Sequence, residues 1–132
     1  MSTQFRLADQ TLQAFVPARD AERAKAFYRD TLRLPLVSEE LPFALVFDAA
    51  GTPLRVTILQ ELNPAPFTVL GWQVPDIAAA VEGLRKSGVQ FLRIPGLSQD
   101  DHGVWTAPGG AKVAWFKDPD GNTLSVSQHH RG

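Results

Sequence analysis

Apolar side chains recur at two different periods along this chain. From Asp20 onward, Ala24, Phe27, Tyr28 and Leu32 fall on one helical face, and from Asp76 onward Ile77, Ala80, Val81 and Leu84 do the same. Each run opens on an aspartate, whose carboxylate can accept from the free N–H groups of a first helical turn. Gly88 is a plausible left-handed stop for the second helix, whereas the first ends less cleanly, because Arg33 stands where glycine would be easier. The remaining apolar positions predict strands at 11–18, 34–39, 42–49 and 53–60, then at 67–74, 89–94, 111–117 and 122–128. Gly51-Thr52-Pro53 and Asp118-Pro119-Asp120-Gly121 read as turns, with proline presetting φ and glycine taking a left-handed position. The stretch 95–110, holding Asp100, Asp101 and several glycines, reads as one long loop of the length that binding loops and lids take.

The order strand, helix and three strands therefore occurs twice. The helix starts Asp20 and Asp76 are 56 positions apart, and the same offset carries Tyr28 to Leu84 and Leu32 to Gly88. A repeated pattern of this kind fixes an architecture even where few residues are identical. Module one spans about 11–62 and module two about 67–128, within one domain covering residues 1–132.

Three segments make the pattern specific: Asp20 through Phe27-Tyr28-Arg29-Asp30-Thr31-Leu32, Val74-Pro75-Asp76-Ile77 through Gly88-Val89, and Val113-Ala114-Trp115-Phe116-Lys117-Asp118-Pro119-Asp120-Gly121-Asn122. With two βαβββ modules in this length, the chain resembles the vicinal-oxygen-chelate family of glyoxalase I, extradiol dioxygenases and the fosfomycin and bleomycin resistance proteins. The resemblance covers nearly the whole chain. It implies an α+β fold in which the two modules form a curled mixed sheet, a cup, with one helix packed outside each module. Alternation fits that layout: Leu54, Val56 and Ile58 alternate with Arg55, Thr57 and Leu59, and Leu124 and Val126 with Thr123, Ser125 and Ser127. Alternation alone leaves open whether the mixed faces line a cavity or meet solvent.

Composition narrows the chemistry. With 13 basic and 14 acidic residues the formal net charge is −1, and no basic stripe favours nucleic acid or an anionic membrane. The absence of cysteine removes disulfides, zinc–thiolate sites, iron–sulfur clusters and thiol nucleophiles. No apolar run approaches the roughly 20 residues of a membrane span, and no apolar signal core opens the chain, so a cytoplasmic location is expected. Glycine-rich phosphate loops and the Gly-x-Ser-x-Gly elbow are absent.

Metal-dependent members of the resembling family place a ligand on the first and last strand of each module. Carried onto this sequence, those positions are Gln13, which lies 14 residues before Phe27, then Val69, Thr57 and Ser125. Gln13 offers a carbonyl oxygen, Val69 offers nothing, and two neutral hydroxyls are poor substitutes for carboxylates around a hard dication. The expectation is a protein without the family metal and without a cofactor. Among the histidines, His129 and His130 fall in the tail, whereas His102, following Asp100 and Asp101, is a weak candidate acid or base; charged clusters on loops are commonly just solvated.

The leading expectation is a binding protein that holds a small organic molecule in the cup, lined by Gln13, Phe15, Arg55, Thr57, Val69, Trp105 and Ser125, with Trp72, Trp115 and Phe116 as further aromatic candidates. Trp72 alternates with the Val69 face and is expected to pack under a helix instead. Arg55 could equally pair with Glu39, Glu40 or another surface acid. The alternative is a lyase, isomerase or oxygenase of the glyoxalase or dioxygenase kind that works without the usual metal. Homodimerisation is expected from the resemblance.

Overall fold

The computed structural model describes residues 4–129, so that Met1 to Thr3 and His130 to Gly132 lie outside the described residues. After a single 3₁₀ turn at Leu7–Asp9, the chain forms β1 (Ala14–Ala18), α1 (Ala21–Lys25), β2 (Leu36–Glu40), β3 (Ala44–Ala49) and β4 (Thr52–Ile58). Module two follows with β5 (Thr68–Gln73), α2 (Ile77–Lys86), β6 (Trp105–Thr106), β7 (Lys112–Lys117) and β8 (Thr123–Gln128). Two four-stranded sheets result, ordered β1-β4-β3-β2 and β5-β8-β7-β6. In each, the module's first strand runs parallel to its last and the other pairs are antiparallel. β1 and β5 lie beside each other where the modules meet. This is the α+β, two-module curled sheet that the resemblance implies.

Local chemistry explains the helix ends. Asp20 Oδ1 accepts from Arg23 N and Asp76 Oδ1 from Ala79 N, each at 3.1 Å. α2 closes with Gly88 at φ 106°, Gly88 N donating to Arg85 O and Val89 N to Leu84 O at 3.0 Å, the paired bonds of a Schellman ending. α1 has no such glycine. It widens into a π turn over Ala26–Thr31, Leu32 N donates to Phe27 O at 2.9 Å, and Arg33 itself takes the left-handed conformation at φ 62°.

One continuous core fills the space between sheets and helices. Ala24 and Tyr28 meet Val16, Leu45, Phe47, Leu54 and Val56 in module one, while Ile77 and Val81 meet Ala114, Phe116, Leu124 and Val126 in module two. The turn between β7 and β8 ties the modules together: Asn122 Nδ2 donates to Pro17 O at 2.8 Å, and Asp120 Oδ1 accepts from Arg19 N at 3.1 Å.

Three boundaries differ from the sequence expectation. β1 begins only at Ala14, which leaves Gln13 just ahead of it. The strand expected at 89–94 is reduced to one bridge, Phe91 to Phe116, and the second strand of module two is instead Trp105–Thr106, inside the segment read as loop. Gln99 accounts for the exchange. Its side chain accepts from Ile94 N at 2.7 Å and donates to Leu92 O at 2.9 Å and Gly103 O at 2.8 Å, occupying backbone groups that a neighbouring strand would have used.

Candidate functional site

Alternation decides which side chains face away from the helices. On β1 and β4 the buried Val16, Leu54 and Val56 alternate with Phe15, Arg55 and Thr57, and on β8 the buried Leu124 and Val126 alternate with Thr123, Ser125 and Ser127. Register then sets the neighbours. Phe15 stands opposite Arg55, Pro17 opposite Thr57, and Gly71 opposite Ser125. On the far side of β8, Trp115 stands opposite Ser125, and Trp105 pairs with Val113 on β7. The Trp105 and Trp115 rings lie 6.1 Å apart, tilted by 34°. Within the first sheet Phe15, Arg55 and Thr57 therefore share the face away from the helix, and within the second sheet Trp105 and Ser125 do.

Gln13 and Val69 stand differently. Gln13 precedes β1 and is exposed. Val69 lies at a register shift between Thr68 and Leu70, so it has no direct partner on β8, and it packs against the core.

The registers also expose a symmetry. The 56-residue offset carries Phe15 to Gly71 and Pro17 to Gln73, and these four residues face Arg55, Ser125, Thr57 and Ser127 respectively. Arg55 is thus the counterpart of Ser125, while Thr57 corresponds to Ser127, one step farther along the strand. The two halves are chemically unequal at that position. Module one places a large aromatic ring beside a cation; module two places a glycine beside a buried serine. A Cβ on Gly71 would meet Ser125 Oγ at 2.8 Å, so a side chain there requires the Ser125 hydroxyl to rotate away. No hydrogen bond engages the Ser125 hydroxyl among the described residues, which leaves it available to a ligand.

Arg55 is held in place. Its Nη2 donates to Glu40 Oε1 at 2.6 Å, and Ser38 Oγ donates to Glu40 Oε2 at 3.4 Å. The hydrogen bond from Arg55, followed by its charge, holds the Glu40 carboxyl below the usual glutamate range. The Glu40 pairing weighed from sequence does form, and it forms on the face that Thr57 shares, because Glu40 is opposite Ala44 and Ala44 opposite Thr57.

Other sequence candidates go elsewhere. His102 donates its backbone N–H to Asp100 Oδ1 at 2.9 Å, and its Nε2 lies 3.9 Å from Glu82 Oε2 on α2, on the helix side of the sheet and away from Ser125. Phe116 is buried in the core. Trp72 packs on the helix side near α2, as its alternation implies. His129 Nε2 lies 3.2 Å from Ser127 Oγ, and His130 lies outside the described residues. Among the described residues no three His, Asp or Glu side chains gather as a metal site would require.

Two βαβββ modules, each a four-stranded sheet with a helix on one face, define the class of fold. The chain belongs to the Glyoxalase/Bleomycin resistance protein/Dioxygenase superfamily, whose family model matches residues 9–126. Solved structures agree in fold. A glyoxalase/bleomycin resistance protein/dioxygenase from Alicyclobacillus acidocaldarius superposes with a TM-score of 0.70 at 20% identity, covering 96% of each chain. A superfamily member from Sphaerobacter thermophilus gives 0.69 at 23% identity, covering 91% of this chain and 97% of that one. A lactoylglutathione lyase from Agrobacterium tumefaciens gives 0.67 at 18% identity, covering 91% and 93%. Among curated protein sequences no relative matches.

Proposed function

We propose that this protein binds a small organic anion on its concave face, and does so without the divalent cation that metal-dependent superfamily members use. The observation that carries the reading is Arg55. It occupies the position symmetric with Ser125, which makes Arg55 and not Thr57 the counterpart of the ligand position that the resemblance implies, and a guanidinium there would repel a dication. The rest of the set does not fit a dication either: one amide oxygen from Gln13, one neutral hydroxyl from Ser125, and no donor from Val69.

The same residues suit a carboxylate attached to a flat or amphipathic body. Glu40 engages one Arg55 nitrogen, which orients the planar fork and leaves further N–H donors for paired bonds to a ligand anion. Phe15 beside Arg55 and the Trp105–Trp115 pair supply aromatic walls. Phe15 is 59% exposed, and Leu59 and Phe67 are exposed as well. An open apolar face of this kind is covered economically by a second copy, which supports a homodimer.

The test uses 1-naphthoate as probe, followed by calorimetry and by quenching of tryptophan fluorescence, with elemental analysis of the same preparation. Saturable binding that Arg55→Ala weakens by about tenfold or more, with substoichiometric metal, supports the reading. About one Zn, Mn, Ni or Fe per chain, or naphthoate binding indifferent to Arg55→Ala, overturns it.

A further inference from the structure

On the opposite side of the sheets from the concave face, a cavity of about 740 Å³ opens between the end of the first helix and α2. Its floor is Trp72, Val74, Phe116 and Val126; one wall is the small-residue face of α2, including Ala80 and Gly83, and the other is the segment from Thr31 to Leu34 with Ala49 and Ala50. The volume lies within the range of small-molecule sites. Its charge distinguishes it from a packing defect. Its lining includes Arg33 and Lys86 and no aspartate or glutamate, and among the described residues neither cation has an ion-pair partner.

We propose that this outer cavity is a second ligand site, distinct from the concave one, and that it takes a medium-chain fatty carboxylate. The walls are mainly aliphatic or small, which suits an alkyl chain. Thr31 and Ser87 are the neutral polar side chains of the lining, too few to read a base or a sugar. Two unpaired cations without a competing acid fit one anionic head group.

Dodecanoate is the probe and dodecanol its uncharged counterpart. Trp105→Phe with Trp115→Phe leaves Trp72 as the sole tryptophan, so its emission reports this cavity and not the concave face. Dodecanoate should shift that emission saturably. Gly83→Leu should weaken dodecanoate and dodecanol alike by about tenfold or more, because a Cβ at Gly83 meets nothing within 4 Å and a larger side chain has room to grow into the cavity. That change also improves helix propensity, so loss of binding would not signal loss of fold. Arg33→Gln with Lys86→Gln should weaken dodecanoate about tenfold while sparing dodecanol. No saturable Trp72 response, equal binding in the Gly83→Leu variant, or equal loss of acid and alcohol in the charge variant would each overturn the proposal. So would a Gly83→Leu variant that separates subunits while the parent ignores dodecanoate, which would make this face a contact between copies.

Discussion

Tyr28 donates its hydroxyl to Asp118 Oδ2 at 2.6 Å, joining the helix of module one to the β7–β8 turn of module two across 90 residues of chain. Both residues are buried. Asp118 accepts three further bonds, from Asp120 N and Asn122 N at 2.9 Å on Oδ1 and from Asn122 Nδ2 at 2.8 Å on Oδ2. The carboxylate therefore shapes its own turn and holds the other module at once. Burial, then the Asp118 charge and hydrogen bond, push the Tyr28 phenol far above its ordinary range.

Tyr28→Phe should lower stability by about 1–3 kcal/mol in urea denaturation near neutral pH, the range for a buried hydrogen bond to a charged group. The pH dependence has a definite sign. With the folded-state pKa raised, the Tyr28 contribution is complete below the unfolded value of about 10 and declines as pH rises past it, because the unfolded chain then loses the proton more readily. The stability gap between parent and Tyr28→Phe should narrow above about pH 10. A gap that is constant into the alkaline range would show that this bond does not carry it.

The helix caps and the double module were legible because their signals are local: Asp20 and Asp76 act on residues three positions away. The clamp was not. Asp118-Pro119-Asp120-Gly121 announces a turn, but the partners Tyr28, Pro17 and Arg19 come from the other module, and nothing near Asp118 points to them. The exchange of 89–94 for Trp105–Thr106 depends on the side chain of Gln99, which propensity and alternation do not weigh. In the site, alternation correctly separates Arg55 and Thr57 from Val56. It cannot choose between them, because residues two apart share a face. Only the parallel pairing of β4 with β1 identifies Arg55 as the counterpart of Ser125.

Gly71→Ala should cost at most about 1 kcal/mol, because Gly71 is exposed and the Ser125 hydroxyl has to leave its rotamer to admit the methyl. The obstacle is a single atom, Ser125 Oγ at 2.8 Å, and the backbone oxygen of Ser125 is farther off at 3.5 Å. Gly71→Ala combined with Ser125→Ala should therefore recover most of the loss, giving a favourable coupling in a double-mutant cycle. Additive effects would mean that the backbone and not the hydroxyl sets the limit.

Arg33→Gly should stabilise the chain by roughly 0.5–1 kcal/mol, since glycine removes a left-handed penalty of about 1–2 kcal/mol and returns part of it as entropy of the unfolded chain. Arg33 has no ion-pair partner among the described residues, so no salt bridge is lost. Arg33→Ala keeps the Cβ and should bring no gain. Thermal denaturation of the two variants side by side separates the conformational effect from the loss of charge, which both share.

Arg55 and Glu40 are partly exposed, so their ion pair tests orientation more than stability. In a carboxyl-detected NMR titration of the ligand-free protein, Glu40 should titrate below the ordinary glutamate value, because the Arg55 hydrogen bond and charge favour its ionised form. The pair is then intact at neutral pH and is lost only as pH falls through that lowered value. Arg55→Gln removes the charge while keeping a polar side chain, and it should return the Glu40 midpoint to the ordinary range without moving the melting temperature appreciably. Ser38→Ala should do far less, since its hydrogen bond to Glu40 spans 3.4 Å and acts on the carboxyl less than Arg55 does. A Glu40 midpoint unmoved by Arg55→Gln would mean that the pair does not persist in solution. The guanidinium would then approach a ligand as a free side chain, losing more side-chain entropy on binding than the oriented one.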